Sequence, residues 1–302
     1  MSNIAVIGLG HMGGPMAANL VLAGHEVTGF DLVPEALAAA HARGVRAAES
    51  AREAAIGADV VLTMLQTGSS VISLYEGGLL EAAPPDTLFI ESSTISVEDA
   101  RAAHALALAA GHRSVDAPVS GGVVGAEAAT LAFMVGGSDE DFAAAIPVLE
   151  VMGQRIVHCG GPGLGQAAKV CNNLILGASM IAVSEAFVLG EKLGLTHGAL
   201  FEVASNASGQ CWSLTTNCPV PGPVATSPAN HHYEPGFSTT LMAKDLGLAE
   251  VACDHVGVDA QVARLASLLF RSFAGGAGER LDFSSIILDV RARSEASAPD
   301  QG

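Results

Sequence analysis

The chain has 302 residues, half of them apolar, 15% charged and 35 of them glycine, a composition suited to buried helices and tight turns that excludes disorder for the bulk of the chain. With 31 acidic against 14 basic residues, the formal charge of −17 opposes phosphate backbones and anionic bilayers, so neither nucleic acid nor a membrane surface is expected as a partner. The five cysteines, at 159, 171, 211, 218 and 253, form no CxxC pair and join no histidine at zinc spacing, which points to reduced thiols, a cytoplasmic location and no metal site.

Met1-Ser2-Asn3 leads directly into the apolar run 4–7 and a glycine turn, with no basic start or cleavage site of a signal peptide. Short apolar runs at 4–7, 26–31, 60–64, 88–91 and 114–117 then alternate with Ala-rich segments such as 15–23, 34–42 and 97–110. That alternation predicts βαβ units with right-handed crossovers, an α/β fold whose first domain is a Rossmann-type doubly wound sheet over 1–163. A Gly/Pro cluster at 159–163 closes it, and residues 166–193 then run without a breaker, about 42 Å of helix at 1.5 Å per residue. We read 164–193 as a long interdomain helix. Its most apolar stretch, 174–183, is interrupted by Ser184-Glu185 after ten residues and is too short for a membrane span.

Beyond it, 198–204, 239–255 and 260–273 have helical spacing, while 217–235 holds five prolines and reads as an irregular loop, so residues 194–302 are expected to form an all-α second domain. The polar, small-residue stretch 291–302 is expected to fray.

The first strand opens into Gly8-Leu9-Gly10-His11-Met12-Gly13, a GxGxxG. Its glycines permit a tight turn, close backbone approach to a pyrophosphate, and strand-helix packing. The motif alone is weak. Here it follows a strand and opens a helix, and Asp31 stands 18 residues later at the end of the second strand. A carboxylate there accepts from the adenosine ribose hydroxyls and repels a 2′-phosphate, and no arginine is near, which favours NAD over NADP.

Lys169 and Asn173 are four residues apart on the long helix, so an ammonium and an amide share one face. A buried lysine can take the hydroxyl proton of an alcohol as hydride leaves. The helix alone leaves room for the other reading, a surface lysine laid along an amphipathic face. Likewise Asp116-Ala117-Pro118-Val119-Ser120-Gly121-Gly122 reads as a carboxylate cradle or simply as a glycine turn. His231-His232 lack a third ligand for a metal.

These features, in this order over residues 3–290, resemble the 3-hydroxyisobutyrate dehydrogenase branch of the β-hydroxyacid dehydrogenase family. The segment 6–19 resembles the family's amino-terminal signature and 116–122 its DAPVSGG segment. Residues 165–173 resemble its GxxxKxxNN helix, and Lys244-Asp245 its carboxy-terminal KD pair. The resemblance implies NAD-dependent oxidation of (S)-3-hydroxyisobutyrate to methylmalonate semialdehyde, a step of valine breakdown, with Lys169 as general acid-base. It implies Ser120, the Gly121 and Gly122 amides and Asn173 as substrate anchors, and Lys244, Leu65, Gln66, Ser70 and Thr94 as cofactor contacts beside the residues of the glycine turn. The family usually has Pro at Gln66 and Asp at Glu91, which weakens the assignment of Gln66. Trp212, a rigid apolar surface, would wall off the substrate methyl or else sit in the core of the helical domain. A homodimer or homotetramer is implied. Three other readings stay open: a relative such as tartronate semialdehyde reductase, an imine reductase, against which Lys169 and Asp31 argue, and an NAD(H) sensor without turnover.

Overall fold

The computed structural model describes residues 1–296, which divide into two compact units, Met1–Lys169 and Val170 onward. The first unit holds a nine-stranded sheet of β1 (Asn3–Ile7), β2 (Glu26–Phe30), β3 (Arg46–Ala47), β4 (Val60–Thr63), β5 (Leu88–Glu91), β6 (Arg113–Asp116), β7 (Val119–Ser120), β8 (Leu131–Gly136) and β9 (Gly153–Gly160). The order β3-β2-β1-β4-β5-β6-β8-β7, with β9 against β8, is parallel from β3 through β6. Strand β8 runs antiparallel to β6 and β7.

Both faces of the sheet are covered, and so the central strands are buried at nearly every position and apolar except at their ends. Ile4 and Val6 of β1 pack into one layer with Met16, Leu20 and Leu62, while Ala5 and Ile7 enter the other with Val61, Tyr75 and Phe89. The strand order reverses between β1 and β4, each leaving in a different direction across the sheet, and this opens a crevice beyond their carboxyl ends.

A 29-residue helix, Leu164–Lys192, begins in the first unit and continues in the second. It is longer and more continuously apolar than its ten-residue apolar core suggests: an 18-residue window has a mean hydropathy of 1.6, enough by length and composition to cross a membrane. Part of its apolar surface is used in packing, while Ile175 and Leu189 are exposed. Met180 and Ile181 join Leu246, Phe270 and Phe283 in one core of the second unit, and Val183, Phe187 and Val188 join Leu214, Val220 and Ile287 in another.

All regular elements of the second unit are helical among the described residues: His197–Ser205, Trp212–Thr215, Thr239–Val256, Gln261–Ala274 and Ile286–Ala296, with 3-10 turns at Pro228–His231 and Phe283–Ser285. The proline-rich stretch is irregular, as expected, except for the first of those turns. The expected fraying from residue 291 is overturned as far as Ala296. Val290 is buried, Arg291 donates to the Glu191 carboxylate through Nε at 3.2 Å, and Arg293 pairs with Asp289 one turn back. The expectation for 297–302 falls outside the described residues. All five cysteines are free.

Candidate active site

The three glycines of the turn after β1 stand in three different surroundings. Gly8 has φ +94°, where an L side chain is strained, and its amide donates to the Phe30 carbonyl at 2.9 Å. A Cβ on Gly13 would overlap the Gly8 carbonyl oxygen, so the following helix (Gly13–Leu22) can pack this closely only on a hydrogen. A Cβ on Gly10 would meet nothing within 4 Å, and Gly10 and His11 are exposed. Gly10 is therefore not demanded by the fold; the space beside its backbone is what a pyrophosphate needs. Leu9 is buried and Met12 half-buried.

Asp31 bridges this turn to the end of β2, with Oδ2 accepting the Leu9 amide at 2.6 Å and Oδ1 the Val33 amide at 2.8 Å. Each carboxylate oxygen has one further lone-pair direction, enough for a ribose diol. The residues present thus fit a dinucleotide: open glycine backbone at the carboxyl end of β1, and an anionic acceptor at the end of β2.

Leu65 and Thr94 lie just past β4 and β5, on the same carboxyl edge, and Ser93 links them. The Leu65 amide donates to Ser93 Oγ at 2.7 Å. Gln66 and Ser70 are exposed, and Ser70 gives its amide and shares its hydroxyl with Thr67, the N-cap of the helix Gly68–Leu74. The Ser70 hydroxyl is thereby engaged in a helix cap.

Beneath Ser93 and Thr94 lies a buried polar network. Glu91 Oε1 accepts from the Ser93 amide at 2.9 Å and from Thr63 Oγ1 at 3.4 Å. Burial pushes the Glu91 carboxyl up to about 8, with the nearby Asp116 charge adding to the shift and the Ser93 hydrogen bonds opposing it. Gln166 is fully buried, donates through Nε2 to the Ser93 carbonyl at 2.6 Å and accepts the Ile95 amide at Oε1 at 3.3 Å.

Asp116 is buried with its carboxylate turned toward the start of the long helix. Oδ1 accepts from the Gly163 amide at 2.7 Å and Oδ2 from the Gln166 amide at 2.9 Å, satisfying helix-start donors that otherwise lack a partner. Burial raises its pKa and these two amides oppose the rise. Gly163 has φ +82°, and a Cβ on Gly165 would run into the Met134 carbonyl, so both glycines are needed for the helix to start against β6 and β8. Ser120 is half-buried, and Gly121 and Gly122 have φ +131° and +62°. Within one segment the aspartate anchors a helix while the Ser-Gly-Gly portion makes the sharp turn.

Lys169 follows Gln166 by three residues and is only 7% exposed, unlike the surface lysine the helix alone allows. Asn173, one turn further, is buried and donates through Nδ2 to Asp245 Oδ2 at 2.6 Å; its own Oδ1 accepts from Asn172 at 3.1 Å. Only the NH₂ end of an amide can face that carboxylate, so the Asn173 orientation is determined. Lys244 lies beside Asp245 at 3.7 Å. Trp212, at the start of a short helix, is 51% exposed and does not fill a core.

Glu91, Asp116, Gln166 and Asp245 were not singled out by the sequence as working residues. Asp116 and Asp245 lie within recognised motifs, and Glu91 marked a departure from one. Gln166 stands at a variable position of its motif and carried no signal of its own, since its side-chain partners are more than 70 residues away in the chain.

The fold and these groups define a nicotinamide-dinucleotide oxidoreductase of the two-unit α/β type. A family model for the NAD binding domain of 6-phosphogluconate dehydrogenase matches residues 3–161, and one for the NAD-binding part of NADP-dependent 3-hydroxyisobutyrate dehydrogenase matches 163–289. The solved Mycobacterium tuberculosis 3-hydroxyisobutyrate dehydrogenase, described together with L-serine, is 56% identical, with a TM-score of 0.93 over 96% of this chain and 99% of that one. The 3-hydroxyisobutyrate dehydrogenase of Pseudomonas aeruginosa is 48% identical over 95% of this chain and 97% of its own. The NAD-dependent L-serine dehydrogenase of the same organism is 46% identical over the same shares. The chain belongs to the 3-hydroxyisobutyrate dehydrogenase family and is an NAD-dependent β-hydroxyacid dehydrogenase.

Proposed function

We propose that the protein oxidises (S)-3-hydroxyisobutyrate to methylmalonate semialdehyde with NAD, as a step of valine breakdown, and that Lys169 is its general acid-base. The observation that carries this reading is Lys169 itself: a buried lysine one helical turn from an oriented asparagine, on a helix whose first turn is tied to the dinucleotide-binding unit.

Bound NAD supplies the hydride acceptor. Lys169 Nζ, in its neutral form, takes the substrate hydroxyl proton, and in the reverse direction the ammonium returns it. Ser120 Oγ and the Gly121 and Gly122 amides hold the carboxylate, Asn173 orients the substrate, and Trp212 offers an apolar wall for its methyl group. Asp31 selects NAD, and Leu9, Leu65, Thr94 and Lys244 line the cofactor, with Gln66 and Ser70 at its exposed edge. Residues 194–302 serve association as a homodimer or homotetramer, and the protein works in the cytoplasm.

L-serine is the competing substrate, because it too carries a 3-hydroxyl and because one relative is an L-serine dehydrogenase and another was described with L-serine. The test is nicotinamide absorbance with NAD and NADP in parallel, using (S)-3-hydroxyisobutyrate, L-serine, 3-hydroxypropionate and D-glycerate. A kcat/KM highest for hydroxyisobutyrate with NAD is expected. Preference for L-serine or D-glycerate would reassign the substrate, and NADH binding without turnover would support a sensor. Lys169→Ala should lose at least ~100-fold in kcat while still binding NADH; near-normal turnover would overturn its role.

A further inference from the structure

We infer that Gln166 is a positioning residue for the proton-transfer step, setting Lys169 against the strand-end segment that carries Thr94; this rests on the reading of Lys169 as acid-base. The Gln166 side chain spans the two peptide groups that flank Thr94. Its Nε2 donates to the Ser93 carbonyl at 2.6 Å and its Oε1 accepts the Ile95 amide at 3.3 Å, much as a neighbouring strand would pair with them. A glutamine is suited to this because its amide offers a donor and an acceptor on one rigid plane.

The same residue is held from behind. Its backbone amide donates to Asp116 Oδ2 at 2.9 Å, so main chain and side chain are tied to different strands, β6 and the end of β5. The side chain is fully buried, which makes each of these bonds costly to lose. Lys169 stands three residues later on the same helix, where side chains share a face. The helix backbone that carries Lys169 is therefore held against the Thr94 segment within one compact unit, through one amide. Ser93 extends the tie to Leu65 through its hydroxyl, so the ends of both β4 and β5 are indexed to the lysine.

The test compares Gln166→Met, which keeps length and volume but loses the side-chain hydrogen bonds, a longer one from Nε2 to Glu91 Oε2 at 3.5 Å included, with Lys169→Ala and the unaltered enzyme. Circular dichroism, NADH affinity and the pH profile of kcat are measured for each. Gln166→Met is expected to remain folded and to lose roughly 10- to 100-fold in kcat, as a displacement of about 1 Å at a reacting group costs, with KM changed far less and the acid limb of the oxidative pH profile, where the base becomes protonated, displaced. Gln166→Glu adds a control that a merely structural role would not satisfy. While protonated, the introduced carboxyl mimics the amide, so kcat relative to the unaltered enzyme should recover toward acid pH and fall as that carboxyl ionises. If Lys169→Ala abolishes turnover but Gln166→Met keeps kcat and its pH profile, the inference is wrong while the acid-base reading stands. If Lys169→Ala turns over normally, the acid-base reading itself has failed. Should Gln166→Met not fold, Gln166→Asn, which keeps the amide but is one methylene short, is measured with the same two outcomes.

Discussion

Asp116 and Gln166 meet across 50 residues of chain, the aspartate Oδ2 accepting the glutamine backbone amide at 2.9 Å at the start of the helix that carries Lys169. The same carboxylate also takes the Gly163 amide. A segment whose resemblance assigns it to substrate therefore also determines where the helix of Lys169 begins. Asp116→Ala should leave two buried amides unpaired, costing about 2–4 kcal/mol of stability, and should lower kcat in the remaining folded protein. Urea unfolding followed by activity below the transition measures both; an unchanged midpoint would show that the helix start does not depend on the carboxylate.

The glycines of the first turn separate fold from binding. Gly13→Ala collides with backbone and should destabilise by at least ~1–3 kcal/mol. Gly10→Ala has open space for its methyl group, so thermal unfolding should stay within about 2 °C while the NADH Kd rises roughly tenfold or more. Equal destabilisation by the two substitutions would mean that Gly10 serves the fold and not the cofactor.

Glu91 makes stability depend on pH. Its carboxyl, buried and pushed up from about 4.5 to about 8, stays protonated in the folded chain where the unfolded chain is ionised. The folded state thus binds more protons between those values, and stability falls as pH rises from about 4.5 through 8. Asp116, also raised by burial, acts in the same direction, and Tyr75, raised by burial and by the Glu91 charge, adds to it only when it ionises at still higher pH. Glu91→Gln cannot ionise and should flatten the decline by a few kcal/mol across that window. Denaturant midpoints of both proteins at pH 5, 6.5 and 8 decide it; parallel curves would show that Glu91 ionises without cost.

Asn173 is oriented by Asp245 at 2.6 Å, both groups being buried. Asp245→Ala should cost about 1.5–3 kcal/mol and reduce kcat/KM at least tenfold. Asp245→Asn, whose carbonyl oxygen can still accept from the Asn173 amide, should recover most of the stability and part of the activity. Full activity in Asp245→Ala would free Asn173 from this dependence.

Local order settles much of this protein. Alternating apolar runs, the glycine turn with Asp31 and the unbroken run from 166 to 193 are patterns within about twenty to thirty residues, where propensity and periodicity act directly. They suffice for a dinucleotide unit, a long helix and a helical second unit, and for placing Lys169 one turn before Asn173. What they leave undecided are pairings between distant residues. The Asp116 carboxylate could not be known as a helix anchor, nor Gln166 as a clamp on 93–95, because those contacts exist only once β5, β6 and the helix start are brought together. The last helix shows the same limit. Residues 291–296 look like a fraying tail by composition, and they are helical because Arg291 finds Glu191 a hundred residues away. Composition reports what a segment can do alone; burial and a distant partner decide what it does in the folded chain.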